Sequence, residues 1–140
     1  MELHGCRGCG STAVEALLEM AGMPYRRQVF EWDDRDAWDR LRGINPLAQV
    51  PTLALDDGTI VTESAAIVLW IAGRHPHLLP DGESERALDR LSALDVYVAM
   101  ISRWRPGRAW LSAHCPKAMA SVLVTERHPV VASAWTRNFD

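Results

Sequence analysis

Apolar positions recur along the first half of the chain with two different spacings. Ser11 to Met20 (STAVEALLEM) sets Val14, Leu17 and Leu18 on one stripe at helical spacing, and Gly22 and Pro24 follow where a helix must stop. Glu2 to Gly5 ahead of it predicts a very short strand. Tyr25 to Trp32 (YRRQVFEW) alternates loosely but is rich in β-formers, and the polar run DDRDAWDRLRG after it predicts a short, exposed helix. Pro51 to Leu55 and Thr59 to Thr62 flank Asp-Asp-Gly, which predicts a tight two-residue turn and an antiparallel pair of strands. From Ser64 the segment SAAIVLWIAGRHP is apolar on nearly every side. It predicts a helix covered by the sheet on one face and by a helical layer on the other, closed by Pro76.

Strand signals end there. From Glu83 onward Leu91, Leu94, Val98 and Ile101 fall at spacings of three and four, and shorter helical pieces are predicted around Ala118 to Val124 and Val130 to Trp135. His114 and Cys115 fall in a loop, and no Ser/Thr-x-x-Asp capping box is assigned to this region. Residues 77–82 (HLLPDG) form the predicted linker between an α/β module of order βαβαββα over 1–76 and a reduced all-α module over 83–140.

Composition narrows the function classes. The 140 residues are 48% hydrophobic and 24% charged, a globular balance that supports one core or two small, joined ones. A formal net charge of −3 with scattered Lys and Arg gives no electrostatic footprint for nucleic acid or an anionic membrane. The longest apolar run, Ala65 to Ala72, is far short of the roughly 20 residues that span a bilayer. No secretory signal is read at the N-terminus, so the expected compartment is the cytoplasm. Three cysteines are an odd number, which argues for reduced thiols rather than a disulfide framework.

Two stretches carry candidate chemistry. In INPLAQVPTL a strand opens on Pro51, which donates no ladder hydrogen bond and pushes Val50 into an extended conformation. The Val50 backbone is thereby displayed for another partner. In CRGCGS the loop runs directly into a helix, whose positive end favours a thiolate, so Cys9 and Ser11 have the setting for thiol chemistry. Cys6 and Cys9 form a C-x-x-C, a spacing suited to dithiol redox work. His4 beside the pair does not complete a four-ligand zinc site, and no metal is expected.

Together RGCGS, AGMPY, INPLAQVPTL and DDGTIVTESAAIVLWIAGRHP, in that order over Leu3 to Pro76, resemble the thioredoxin-fold domain of a cytosolic glutathione S-transferase. The resemblance extends more weakly into ERALDRLSALDVYVAMI and CPKAMASVLVTERHPVVASAWTRNFD, similar to the first and last helices of that family's second domain. The middle of that domain is then missing, and the second module is shortened.

What the resemblance implies is specific. The Val50–Pro51 bond is cis, and the Val50 backbone pairs with the cysteinyl amide of glutathione as an added strand would. Ser64, as the N-cap of its helix, offers donors to the γ-glutamyl carboxylate, and Glu63 accepts from the ammonium. Gln49 takes the glycyl carboxylate in preference to Arg40 or Arg42. Cys9 or Ser11 hydrogen-bonds the glutathione sulfur, or Cys9 forms a mixed disulfide with it; the position at which some bacterial relatives carry a catalytic cysteine falls on Gly10. The implied activity is transfer of glutathione, a co-substrate, to a small electrophile. The alternatives are a glutathione-dependent thiol-disulfide oxidoreductase, a non-catalytic glutathione-binding or regulatory protein, and a scaffold. A homodimer through the apolar helix faces is expected.

Overall fold

Leu3 has no exposed surface, and the strand that carries it, β1 (Glu2–Cys6), occupies the inside of the sheet. The computed structural model describes residues 1–79, 91–104 and 107–139. Within them β1 runs parallel to β2 (Arg26–Phe30) on one side and antiparallel to β3 (Thr52–Ala54) on the other, and β4 (Ile60–Thr62) pairs antiparallel with β3. The order β2-β1-β3-β4, with α1 (Ser11–Met20), α2 (Arg35–Arg42) and α3 (Ser64–Arg74) interleaved, is the expected βαβαββα thioredoxin-like module. Four helices of the second module follow: α4 (Ala93–Ile101), α5 (Arg108–His114), α6 (Pro116–Arg127) and α7 (Pro129–Phe139).

α1 is the centre of the molecule. Every residue from Ser11 to Leu18 is buried, because β1 covers one side of the helix and α3, α4 and α7 close over the rest. The apolar core runs without interruption from Leu3, Val14, Leu17 and Leu53 through Ile67 and Ile71 to Val96, Met100, Val131 and Trp135, so the two modules share it. α2 is the amphipathic helix its charge pattern predicts, burying only Ala37 and Leu41, with Asp34 capping it by accepting from the Ala37 N–H at 2.9 Å.

Several expectations are corrected. The turn between β3 and β4 is longer than two residues: Leu55 N–H bonds the Thr59 carbonyl at 2.9 Å, and Gly58 takes the left-handed conformation at φ 86°. α3 is covered on one face only; Ile67, Val68, Ile71 and Ala72 are inside, whereas Leu69 is 68% exposed. In α4 the inward face is Ala93, Val96, Ala99 and Met100 rather than the Leu91, Leu94, Val98 and Ile101 stripe. That face packs against α1 and α6, with Ala93 and Ala99 beside the fully buried Val96 and Met100. α4 also opens on a capping box that was not assigned: the Asp95 N–H donates to Ser92 Oγ at 3.3 Å, and the Ser92 N–H donates to Asp95 Oδ2 at 2.9 Å. The last two helices are longer than their apolar cores, and α5 includes His114. Pro76–Leu78 forms a 3-10 turn that leads into the 77–82 linker, of which 80–82 lie with 83–90 outside the described residues.

Glu15 is the one fully buried carboxylate among the described residues, and four donors answer it. Arg27 Nε from β2 reaches it at 2.9 Å, Arg137 Nε from α7 at 2.6 Å, and Asn138 Nδ2 from α7 at 3.1 Å; the Arg137 Nη2 lies at 2.6 Å. Arg137 also pairs with Glu19, which accepts from the Tyr25 hydroxyl at 3.2 Å. Burial opposes the Arg137 charge, but the hydrogen bond to Glu15 and the charges of Glu15 and Glu19 outweigh it and raise its pKa. Burial, with the same two carboxylates, pushes the Tyr25 phenol well above its ordinary range. Removing a buried partner leaves its counter-charges uncompensated. Both arginines keep about a third of their side chains in water, at 34% and 35%, which screens part of that loss. Glu15→Ala is expected to destabilise the protein by about 2–3 kcal/mol, read as a lowered urea midpoint.

Candidate functional site

The segment from Asn45 to Pro51 is held from below. Asn45, buried, donates from Nδ2 to Thr52 Oγ1 at 3.0 Å and to the Gln49 carbonyl at 3.4 Å, while its Oδ1 accepts from the Leu47 N–H at 3.2 Å. Thr52 Oγ1 donates to the same Gln49 carbonyl at 2.7 Å. These bonds fix a path in which Ala48 has φ 48° and the Val50–Pro51 peptide is cis. The ladders of β3 begin at Thr52 on both sides, so the N–H and C=O of Val50 take no partner among the described residues. The Gln49 side chain stands in solvent.

Two other backbone corners meet this one. A Cβ built on Gly10 would lie 3.4 Å from the Ser64 Cβ and 3.5 Å from the Pro51 Cδ, which brings the start of α1, the Val50–Pro51 corner and the start of α3 within contact distance. At α3 the boundary is one residue earlier than expected: Glu63 is the N-cap, with φ 67°, and Ser64 is the first helical residue. The Glu63 carbonyl accepts from the Ile67 N–H at 2.9 Å, so the N–H groups of Ser64, Ala65 and Ala66 have no helical acceptor and point out of the helix end. Glu63 is exposed and Ser64 half-buried at this corner. Arg40 and Arg42 are engaged on α2, the first at 4.0 Å from Asp34 and the second with Asp39.

The CRGCGS loop faces the same corner with its backbone, not with its side chains. Cys6 and Cys9 are buried and their sulfurs are paired as a disulfide, with Cα atoms 5.6 Å apart, where free thiols were expected. Ser11 Oγ lies under the loop, 3.3 Å from the Cys6 carbonyl and 3.3 Å from Cys9 Sγ. It fills the space above Gly5, where a Cβ would come within 2.2 Å of it. The N–H groups of Gly10 and Ser11 take no partner among the described residues. His4 is also buried, which lowers its pKa against the raising effect of Glu2, and the described residues hold no His, Cys, Asp or Glu cluster that could bind a metal ion.

Behind Gly8 the loop borders a cavity of about 470 Å³ lined by Arg103, Trp104, Arg108 and Phe139. Glu126 anchors its floor. Arg103 Nη2 donates to Glu126 Oε1 at 2.9 Å, Arg108 Nη1 donates to Oε2 at 2.9 Å, and Trp135 Nε1 donates to Oε1 at 2.7 Å. Burial opposes the Glu126 charge, yet the hydrogen bond and positive charge of Arg108, with those of Arg103, hold its carboxyl below the ordinary range.

The glutathione S-transferase N-terminal domain profile matches residues 11–74. An uncharacterized glutathione S-transferase-like protein of Escherichia coli strain K12, YncG, is 42% identical over 91 residues, 63% of this chain and 44% of that protein. A probable maleylacetoacetate isomerase of Caenorhabditis elegans is 33% identical over 90 residues, 63% of this chain and 42% of that protein. The first module belongs to the glutathione S-transferase family. These matches span less than half the length of either relative.

Solved glutathione S-transferases share the fold over both modules. A sphingomonad glutathione S-transferase complexed with glutathione superposes at TM-score 0.77 and 21% identity, over 99% of this chain and 98% of that one. The Xylella fastidiosa glutathione S-transferase does so at 0.75 and 17%, over 98% of each. No helix among the described residues is long and apolar enough to cross a membrane.

Within this glutathione S-transferase domain Pro51 and Ser64 meet Gly10 at contact distance, with Gln49 and Val50 preceding the one and Glu63 the other, and the side chains of Cys9 and Ser11 are buried beneath the floor of the groove at this corner. Gly10 was noted only as the position at which some relatives carry cysteine, and Asn45 and the cavity residues Arg103, Trp104, Arg108 and Phe139 were not singled out by the sequence. Asn45, six positions before Pro51, sits next to Pro46 as a turn former, and that is the one signal the sequence offers for its role in holding the loop. Asn45→Ala removes the donor to Thr52 Oγ1 and the acceptor of the Leu47 N–H, and is expected to cost about 1–3 kcal/mol of stability in urea unfolding.

Proposed function

We propose that the groove binds glutathione and that the protein transfers its thiol to a small electrophile. The observation that carries this reading is the meeting of three unpaired backbone edges at Gly10, Val50–Pro51 and Glu63–Ser64. The free N–H and C=O of Val50 match the cysteinyl amide as one more strand residue would. The free N–H groups at the start of α3, with Ser64 Oγ, match the γ-glutamyl carboxylate, and the exposed Glu63 matches its ammonium. Gln49 is the neighbour for the glycyl end.

With the peptide so placed, its sulfur meets the start of α1. The N–H groups of Gly10 and Ser11 and the positive end of the helix favour the thiolate over the thiol, and the released proton passes to solvent. The thiolate sulfur then forms a bond to the electrophilic carbon; with an aryl halide the halide ion leaves with the bonding pair. Cys9 and Ser11 support this loop from beneath. The disulfide of Cys6 and Cys9 also gives the oxidoreductase reading a foothold, which requires the loop to turn the buried Cys9 Sγ out to the groove: a glutathione thiolate then attacks Cys9 Sγ, the sulfur–sulfur bond breaks, and Cys6 leaves as the thiolate. A second glutathione would then release Cys9 as a thiolate, with glutathione disulfide as product. The proposed assembly is a homodimer in the cytoplasm, joined through the open face of α3 at Leu69 and the exposed Leu94 of α4.

Calorimetry decides the pose. Ser64→Ala removes a hydrogen bond to a charged carboxylate and is expected to weaken glutathione binding by about ten- to a hundredfold with little change in folding stability. Equal affinity in wild type and variant, or no binding in either, rejects it. Cys9→Ser is expected to keep both glutathione affinity and conjugation of 1-chloro-2,4-dinitrobenzene, and to abolish the mixed disulfide detected by mass spectrometry.

A further inference from the structure

Along β1 the side chains alternate, so Leu3 enters the shared core while Glu2 and His4 turn to the other face of the sheet, which α2 covers with Ala37 and Leu41. His4 stands there in a row with its register partners, Gln28 of β2 and Thr52 of β3. Its side chain is only 10% exposed, and its ring makes no hydrogen bond among the described residues. A buried polar group without such a partner calls for an explanation.

Between this row and α2 lies a cavity of about 540 Å³, with Glu2, His4, Gln28 and Phe30 on the sheet side and Leu41 and Ile44 on the helix side. The charged groups around the ring are Glu2 on its own strand, Arg26 and Glu31 from β2 and the residue after it, and Asp34 and Arg40 from α2 and its cap. β3 brings Thr52 and Ala54, which carry no charge. Each carboxylate is already answered by an arginine: Glu2 by Arg26 at 2.8 Å, Glu31 by Arg7 at 3.6 Å and Asp34 by Arg40 at 4.0 Å. An imidazolium would therefore find no uncommitted counter-charge, Glu2 Oε1 at 3.5 Å from Nε2 included. Burial outweighs the attraction of Glu2 and keeps the His4 pKa below its ordinary value, so the closed arrangement favours the neutral ring.

What lies over the ring is lightly held and leads to the groove. α2 buries only two side chains, and it runs through Ile44 into Asn45, which organises the path to Gln49 and Val50. Thr52, directly across from His4, donates to the Gln49 carbonyl and accepts from Asn45. We infer that His4 is a proton sensor for the groove: when the ring takes up a proton from solvent, α2 and the Asn45–Pro51 segment part from the sheet to hydrate it, and the Val50 edge is lost. The inference rests on the glutathione reading only for what the loss of that edge does to binding. Its sign follows from linkage. A parted state whose imidazole has its ordinary value of about 6.5 binds more protons than the closed state, so parting is favoured as pH falls, by about five- to tenfold one unit below that value.

Hydrogen exchange at pH 7.5 and 5.5, with rates corrected for their intrinsic pH dependence, tests it on the Ile44, Asn45 and Ala48 amides, which bond the carbonyls of Leu41 and Asn45. Their protection is expected to fall about five- to tenfold over that interval in the wild type and less than twofold in His4→Gln, with protection of the α1 amides unchanged in both. His4→Leu is a second variant that does not titrate, and melting curves show which of the two is folded. The other histidines stay in every protein, so the difference isolates His4. S-Methylglutathione, which has no thiol to titrate, should bind the wild type more weakly at pH 5.5 than at 7.5, and the folded variant equally at both. Unchanged protection in the wild type, the same fall in a folded variant, or an equal fall in α1 overturns the sensor. Equal binding of S-methylglutathione by the wild type at both pH values overturns its link to the groove. No binding at either pH counts against the glutathione reading, and the exchange result alone then decides the sensor.

Discussion

A carboxylate with no exposed surface cannot stand alone in a protein interior, and the position of Glu15 on the central helix makes the arrangement of both modules answer to it. Its donors come from β2 and from the last helix, so one charge ties the edge of the sheet, α1 and α7 together. Apolar packing across the shared core is roughly indifferent to small slips of α7 along α1, because it scales with area rather than direction. Hydrogen bonds to Glu15 are directional, and they set the register. Phe139 reaches Gly8 because Arg137 and Asn138 are fixed two residues and one residue before it. The rim that Phe139 gives the cavity is therefore placed by the same polar cluster.

The same division between direction and area explains what the sequence could and could not disclose. α1 was legible to the residue, because Gly10 and Gly22 bracket it and its apolar stripe is continuous. The sheet's strands were legible as elements, though the β3 to β4 turn needed Thr59 as a partner that only the folded chain reveals. In α4 the largest side chains mislead. Leu94 is outside while Ala93, Val96, Ala99 and Met100 are inside, since the face that meets α1 and α6, and not side-chain size, decides burial. α5 gives no periodic signal for a simpler reason: none of its residues is buried.

At the groove, the positions that act through backbone were easier to find than those expected to act through side chains. Val50 and Pro51 are marked by proline's missing donor, and Ser64 lies within one residue of the helix start that its type announces. Cys9 and Ser11 looked like chemistry because of where they fall along the chain. Ser11 turns into the hollow over Gly5 and Cys9 toward Cys6, contacts that no local pattern encodes. Arg103 and Arg108 are two ordinary surface cations in the sequence; only their common carboxylate, eighteen or more positions away, gives them meaning.

The fit of Ser11 into the hollow above Gly5 has an evolutionary consequence. A β-carbon placed on residue 5 would lie 2.2 Å from the Ser11 hydroxyl and 2.4 Å from the Ser11 Cβ, so a side chain there and a side chain at residue 11 exclude each other. A lineage that acquires alanine at the first position has to accept glycine at the second, or lift the start of α1 away from β1 and spoil the groove above it. The two sites form a steric lock, and homologous chains should drift through sequence space with these positions changing as a couple.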